Sequence, residues 1–296
     1  MTAKYAFIND HRKCWKIGMM CRVLKVSKSG YYDWINRKDA PPTATAFARQ
    51  ERCKLVEKIF CENHHIYGYR KICHALRRRG VACSLNTILA DCQRLGIKSI
   101  VRKKYRVQTT DSNHANPIAK NVLDRNFKAE KPNEKWVTDI TYVATLEGWL
   151  YVVAIIDLFS RKVIGYSMAD HLRAELVVDA LKMPLGRGRK LVGGLWLHSD
   201  RGVQFTSEQF RDVLNLVGIE QSMSRKGDCW DNAPCESWFG KLKTEWIYPK
   251  GEIFATRKAA ELSIIEYIEI FYNSKRIHQA LDYRTPNEVE IDFALR

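Results

Sequence analysis

The 296-residue chain has no apolar stretch long enough to cross a bilayer. Its longest apolar run, Trp149 to Ile156, falls far short of the roughly 20 residues a spanning helix needs. The opening MTAKYAFINDHRK lacks the apolar core of a secretory leader. The nine cysteines contain no C-x-x-C pair, so neither a zinc knuckle nor a disulfide framework is signalled. Cys61, His64, His65, Cys73 and His74 come nearest to a metal cluster, yet their spacings fit no common zinc pattern. These absences lead us to expect a reducing, cytoplasmic setting with no membrane attachment. Acidic residues are also scarce in one half. Residues 1–120 hold 8 Asp+Glu against 25 Lys+Arg, whereas residues 121–296 hold 25 against 24. With a formal charge of +16 distributed this way, one part of the chain is suited to gripping a polyanion and the other to a different task.

The basic half reads as all-α. Ile17, Met20, Cys21 and Leu24 recur at helical spacing, and after a short break Ser29 is placed to cap a second helix carrying Tyr31, Tyr32 and Trp34. Residues 1–37 therefore form a helix-turn-helix-like segment. Two prolines in KDAPPTATA (38–46) mark a linker. Residues 47–106 follow as a basic trihelical domain, with helices near 49–62, 69–79 and from the cap Ser84 to Gly96. Arg77, Arg78 and Arg79 end the second of these helices, where cations also complement the helix dipole. The arm 98–106, with Arg102, Lys103 and Lys104, extends the basic surface, and DNA contact is expected for both groups. The polar stretch 107–130 reads as a connector.

Residues 131–250 form the second expected domain, extended by a helical segment over 251–296. Strand candidates at 135–143, 149–157 and 161–168 precede a helix that should stop by Pro184. Then come the strand LVGGLWLHSD, a helix capped by Ser207 and stopped by Gly218, a short strand at 219–223, and a helix from about Ala233. Short turns followed by helical crossovers give an α/β fold: a mixed five-stranded sheet flanked by helices on both faces.

Three carboxylates stand out against this frame. Asp139 interrupts the strand WVTDITY, Asp200 closes LWLHSD at a strand end, and Glu236 lies in DNAPCES at the start of a helix, with thirty-five residues between it and Asp200. Hard cations such as Mg²⁺ take oxygen ligands from a few carboxylates, and two ions about 3.5–4 Å apart can clamp the attacking and leaving oxygens of a phosphodiester. On the last helix Glu236, Gly240 and Lys243 share a stripe at i, i+4 and i+7, pairing a metal-type carboxylate with an ammonium suited to phosphate. Each acid also has a plainer reading: a turn former for Asp200 and a dipole-favoured first-turn acid for Glu236. Asp157 also ends an apolar strand. It is the main competitor as a catalytic acid but reads as a supporting residue that caps backbone amides. His198, beside Asp200, is open to orienting that acid, meeting phosphate or packing at the strand end, and Asn232 reads as a supporting residue near Glu236. Arg201 beside Asp200 reads as a DNA contact. Asn273, Arg276 and His278 are open to DNA contact or packing, and the loop RKGDCWDN (225–232) is expected not to be rigid.

At these residues the chain resembles the larger-reading-frame transposases of bacterial insertion sequences, within the retroviral-integrase superfamily. WVTDITY, IIDLFSR, HSDRGVQFTS, SRKGDCWDNAPCESWFGKLKTE and YNSKRIHQALDYRTP carry the likeness, with CRVLKVSKSGYYDW and YGYRKI upstream. Trp230 stands where the family often has Tyr. The resemblance implies an RNase H-like core with Asp139, Asp200 and Glu236 as catalytic and metal-binding triad, two Mg²⁺ ions (with Mn²⁺ as substitute), and metal-dependent 3′-end nicking followed by strand transfer. It further implies DNA partners in the element's terminal inverted repeats and the target, assembly at least as a dimer, and a small partner protein from an upstream frame. Two alternatives stay open: a Mg²⁺-dependent nuclease without strand transfer, and a sequence-specific DNA-binding regulator with an inert core.

Overall fold

The computed structural model describes residues 2–39, 43–101, 116–189, 191, 193–226, 228–251 and 253–296, which divide into two units, 1–57 and 58–296. In the first, α1 (Thr2–Asp10), α2 (Ile17–Val23) and α3 (Lys28–Asp39) bury Tyr5, Ile8, Met20, Cys21 and Tyr31 together. Helix α1 was not expected, because Tyr5 and Ile8 alone give too short a pattern to read. The cap of α3 is Ser27 and not Ser29: the Gly30 N–H donates to Ser27 Oγ at 3.0 Å. Gly30 is needed here, since a Cβ would collide with the Tyr5 hydroxyl. Helix α4 (Ala44–Glu62) starts five residues earlier than its apolar spacing suggests, with Thr43 Oγ1 accepting from the Ala46 N–H, and the unit boundary falls inside it.

The second unit begins with the end of α4, α5 (Tyr69–Arg78) and α6 (Leu85–Arg94), whose Ile72, Leu76 and Ile88 are fully buried. Ser84 caps α6 as expected, accepting from the Thr87 N–H at 3.1 Å. From residue 116 the chain is extended but not free. Ser222 Oγ accepts from the Val122 and Leu123 N–H groups, Asn116 donates to Thr206, and Leu123 is buried. The part of the expected connector that is described thus lies along the core as a strap.

The sheet follows: β1 (Lys135–Thr145), β2 (Gly148–Asp157) and β3 (Val163–Ala169), then α7 (Ala174–Gly186), β4 (Trp196–Ser199), α8 (Glu208–Val217) and β5 (Glu220–Met223). Its order is β3-β2-β1-β4-β5. The β1–β2 and β2–β3 pairs are antiparallel, while β1–β4 and β4–β5 are parallel. Trp136, Val153 and Ile155 point to the face covered by α7 and α8, meeting Leu176, Leu181, Phe210 and Leu214. Helix α7 does not stop at Pro184 but carries it in its last turn, where the ring removes one amide donor and only two further residues follow before the helix ends. Gly165 makes that approach possible: a Cβ on β3 would run into the Ala180 carbonyl and the Pro184 ring.

Alternation sends the odd-numbered β1 residues, Asp139 among them, to the opposite face, where α9 (Ala233–Lys241) packs on β1 and α10 (Arg257–Ile265) on β1 and β2. Helix α9 continues as a π-helical stretch, Leu242–Ile247, and α10 as another, Glu266–Tyr272. The chain ends with α11 (Pro286–Ala294), opened by a capping box between Thr285 and Glu288. In this closing segment Asn273, Arg276 and His278 are all buried. Asn273 exchanges two hydrogen bonds with the Val163 backbone, and Arg276 pairs with Glu245. Packing, not DNA contact, is their role in this structure.

Candidate active site

Strand pairing positions the first two acids. Val137 on β1 is the register partner of His198 on β4, and Asp139 and Asp200 each lie two residues further along. Parallel strands run about 4.8 Å apart, so the two acids reach the same height where β4 has just ended. Asp139 is half-buried, and its Oδ1 accepts from the Ile140 N–H at 2.8 Å. Asp200 Oδ1 accepts from the Gly202 N–H at 2.9 Å. A Cβ on Gly202 would press against that same oxygen, so the glycine keeps the turn after Asp200 tight.

The third acid comes from α9. Glu236 is exposed in its first turn, preceded by Pro234 at a position that needs no amide donor. The helix is fastened to β1 by Asn232, whose buried side-chain amide donates to the Thr138 carbonyl at 3.0 Å, one residue before Asp139. The loop before it is clamped by the buried Asp231. That carboxylate accepts from the Arg225 N–H at 2.9 Å, from the Arg225 and Arg125 guanidinium groups, and from Asn121 at 2.8 Å. These donors, Arg225 first, hold its carboxyl well below the usual carboxylate range. Within the 225–232 loop, Arg225, Asp228 and Asp231 are thus held to one another and to Asn121 and Arg125.

Electrostatics link the three acids. Burial pushes the Asp139 carboxyl well above its ordinary range, Asp200 and Glu236 push it further, and the Ile140 N–H and Lys243 pull the other way. The Cys235 thiol is raised by burial and by the same three acids. Lys243 is partly buried, its Nζ 5.0 Å from the Tyr142 ring centre, and burial lowers its proton affinity while Asp139 raises it. Among the described residues, no three His, Cys, Asp or Glu side chains are drawn up as a ready metal cage. The acids are neighbours not yet closed around a point. An oxygen-only donor set whose members repel one another is what a hard divalent cation would relieve, so these residues fit such an ion.

The other expected residues divide. Asp157 is fully buried beyond the far end of the Val137 pairing, opposite Trp136 in register. It accepts from the Asn133 and Phe159 N–H groups at 2.8 and 2.9 Å and pairs with Arg189, which also meets Glu290. It caps backbone, as expected, but belongs to this separate cluster. His198 is buried between Ser222 and Ser224 at 2.9 and 3.1 Å, and burial lowers its pKa to about 4. It joins β4 to β5 and leaves Asp200 to its turn. Arg201 donates from Nε to the Ser224 carbonyl at 2.7 Å. Arg77 holds the Cys83 carbonyl, Arg78 the Tyr283 carbonyl and Glu288, and Arg79 Glu62, so helix-end packing engages the guanidinium groups expected to meet DNA. Arg102, Lys103 and Lys104 lie outside the described residues. The Asp231 clamp escaped the sequence reading, because its partners Arg125 and Asn121 lie about a hundred residues upstream with no local signature.

Comparison with known proteins accords with this layout. Residues 129–229 and 217–286 match two family models, each described as "Integrase core domain", and residues 48–105 match "HTH-like domain". The chain is 38% identical over 287 residues to the transposase InsF for insertion sequence IS3A of Escherichia coli (strain K12), covering 97% of this chain and 98% of that protein. It is 38% identical over 268 residues to the insertion element IS600 uncharacterized 31 kDa protein of Shigella sonnei, covering 90% and 96% of the two chains. Among solved structures, a chain of the simian T-cell lymphotropic virus intasome in complex with PP2A regulatory subunit B56 gamma aligns at 14% identity with a TM-score of 0.47, over 79% of this chain and 74% of that one.

Proposed function

The chain belongs to the insertion-sequence transposases with an integrase core, polynucleotidyl transferases of RNase H-like fold, and on that premise we propose that Asp139, Asp200 and Glu236 form its catalytic centre. The observation that carries this reading is the placement of Asp139 and Asp200 each two residues past a register pair of adjacent parallel strands, with Glu236 in the first turn of the helix packed on β1. Divalent cations held there, two Mg²⁺ ions with Mn²⁺ as substitute, would supply Lewis-acid stabilisation of charge on the phosphate and an activated nucleophile.

The chain's own residues do the rest. Asp200, fixed by the Gly202 N–H, and Asp139, fixed by the Ile140 N–H, present carboxylate oxygens from the rigid sheet. Glu236 sits on the exposed first turn of α9, while Asn232 and Asp231 hold that turn over β1. Lys243, one side of its ammonium against Tyr142, is placed to meet a phosphate oxygen, with Arg201 as a further DNA contact. The reaction is nicking at the 3′ end of the element, after which the freed 3′-hydroxyl attacks a second phosphodiester. The DNA partners are the terminal inverted repeats and the target, with α5, α6 and the arm beyond residue 101 on the DNA-binding side of the work. The protein acts in the cytoplasm, at the nucleoid, as at least a dimer and with a small protein from an upstream frame.

Calorimetric titration with Mg²⁺ tests the site directly. Wild type should bind the ion in the presence of an element end, and Glu236→Gln should bind it far more weakly while keeping DNA affinity. Equal Mg²⁺ affinity in both would remove Glu236 from the set.

A further inference from the structure

Helix α9 passes without a break into the π-helical stretch Leu242–Ile247, so Glu236, Lys243 and Glu245 ride on one continuous rod. A π turn is a rare geometry that concentrates at functional sites and needs outside support. Two contacts are local to the rod's surroundings. Thr244 Oγ1 donates to the Gly240 carbonyl at 2.7 Å, and Trp246 Nε1 donates to Ser263 Oγ at 3.0 Å. The third is of another kind. Arg276 grips Glu245 with two parallel hydrogen bonds, Nε to Oε2 at 2.7 Å and Nη2 to Oε1 at 2.5 Å, with both side chains more than nine-tenths buried.

Burying an ion pair is a poor way to gain stability, because losing water costs both charges about what their attraction returns, and apolar replacements are often neutral or better. What a forked guanidinium–carboxylate pair does supply is direction, since it fixes distance and rotation together. Here it fixes the rotation of the rod in the turn just past Lys243. The segment bearing Arg276 is itself held: Tyr67 Oη donates to the Lys275 carbonyl at 3.2 Å and accepts from the Ile277 N–H at 2.9 Å.

We propose that the Arg276–Glu245 pair is a positioning element for the active site, locking the register of the helix that presents Glu236 and Lys243. Without it the π turn keeps only the single hydrogen bonds of Thr244 and Trp246, and relaxation toward α geometry rotates the rod on either side of residue 245. Glu236 would then meet the acids of the sheet at the wrong azimuth, weakening the metal site while leaving the fold in place. The proposal rests on the reading of Glu236 as a metal-holding residue.

The test compares full-length wild type with the double variant Glu245→Met/Arg276→Met and the single variant Arg276→Lys. It measures thermal unfolding, DNA binding in chelator, Mg²⁺ affinity by calorimetry and the Mg²⁺ concentration for half-maximal nicking. The double variant should unfold cooperatively near the wild-type temperature and bind DNA within about twofold of wild type. Its Mg²⁺ affinity and half-maximal Mg²⁺ should both be worse by roughly tenfold or more, the scale on which supporting residues act at metal sites. Arg276→Lys should shift both in the same direction by less. A folded double variant with wild-type Mg²⁺ affinity and half-saturation overturns the proposal; should the double variant not fold, a folded Arg276→Lys with wild-type values does the same. Glu236→Gln separates the two readings, because if it nicks normally the site assignment has failed, whereas if it is dead and the double variant is normal only the positioning role has.

Discussion

Asp139 on β1 and Asp200 just past the end of β4 each follow by two residues a register pair of these adjacent parallel strands, Val137 and His198. The chain reaches this arrangement by running β1 outward, returning through β2, running outward again in β3, and crossing over through α7 to lay β4 beside and parallel to β1. The short β4 ends at Ser199, so Asp200 leaves the sheet just where Asp139 is still held within it. Two acids brought this close, with Glu236 above them, make a local charge problem whose consequences can be measured.

The first consequence is a stability that depends on pH. The folded Asp139 carboxyl binds its proton more tightly than an unfolded aspartate, because of burial first and Asp200 next. Its contribution is therefore fully favourable below the unfolded value, about 3.9, and is lost as pH rises through the folded value. In chelator, Asp139→Asn should be more stable than wild type at pH 7.5 and show little advantage near pH 4. Mg²⁺ should then stabilise wild type but not the variant. Thermal unfolding at the two pH values checks both; a variant less stable than wild type at pH 7.5 in chelator contradicts the account.

His198 acts in the opposite sense. Burial lowers its folded pKa to about 4, so its neutral form favours the fold above the unfolded value, and that contribution is lost as pH falls from about 6.5 toward 4. The loss is on the order of 3 kcal/mol if His198 acts alone. Urea unfolding of His198→Gln should show a flatter decline between pH 7 and 4.5 than wild type does. Unchanged slopes would mean that the imidazole is solvated in the folded state.

Asp231 should behave as the clamp of the catalytic loop. Asp231→Ala strands the Arg225 and Arg125 guanidinium groups and the Arg225 amide. Both guanidinium groups are nearly half exposed and can turn to water, so the cost is that of the hydrogen bonds lost from the buried carboxylate, about 1.5 kcal/mol, measured by urea unfolding. Nicking at a temperature where the variant stays folded should fall as well, since Asn232 and Glu236 follow directly on the freed loop.

Arg78 gives a contrasting case. Its pair with Glu288 is two-fifths exposed, so Arg78→Ala should cost under about 1 kcal/mol. Because the guanidinium also holds the Tyr283 carbonyl, the salt dependence of DNA binding should keep its slope. Loss of a phosphate contact would instead lower that slope by about 1.

Much of the catalytic half could be read directly from the sequence. An unbroken apolar run bounded by turns gave β2, and acids interrupting or closing such runs marked Asp139 and Asp200. Ser84 and Ser207 were recognisable as caps because capping is local chemistry. What stayed hidden depends on distant partners. Asp231 looks like any loop aspartate until Asn121 and Arg125 fold against it, and Arg276 gives no sign that Glu245 lies thirty-one residues away in a π turn. For Arg77, Arg78 and Arg79 the sequence shows the run of charge but not the carbonyls and carboxylates, from elsewhere in the fold, that engage them.

The most direct test of the catalytic assignment is strand transfer from a pre-cut element end. A labelled terminal repeat with a free 3′-hydroxyl is incubated with target DNA, Mg²⁺ and either wild type, Asp139→Asn or Glu236→Gln. The account predicts joined product with wild type only, with both variants down by at least about a hundredfold yet still binding the end. Joined product from either variant at the wild-type rate, or cleavage without joining by wild type, would contradict it.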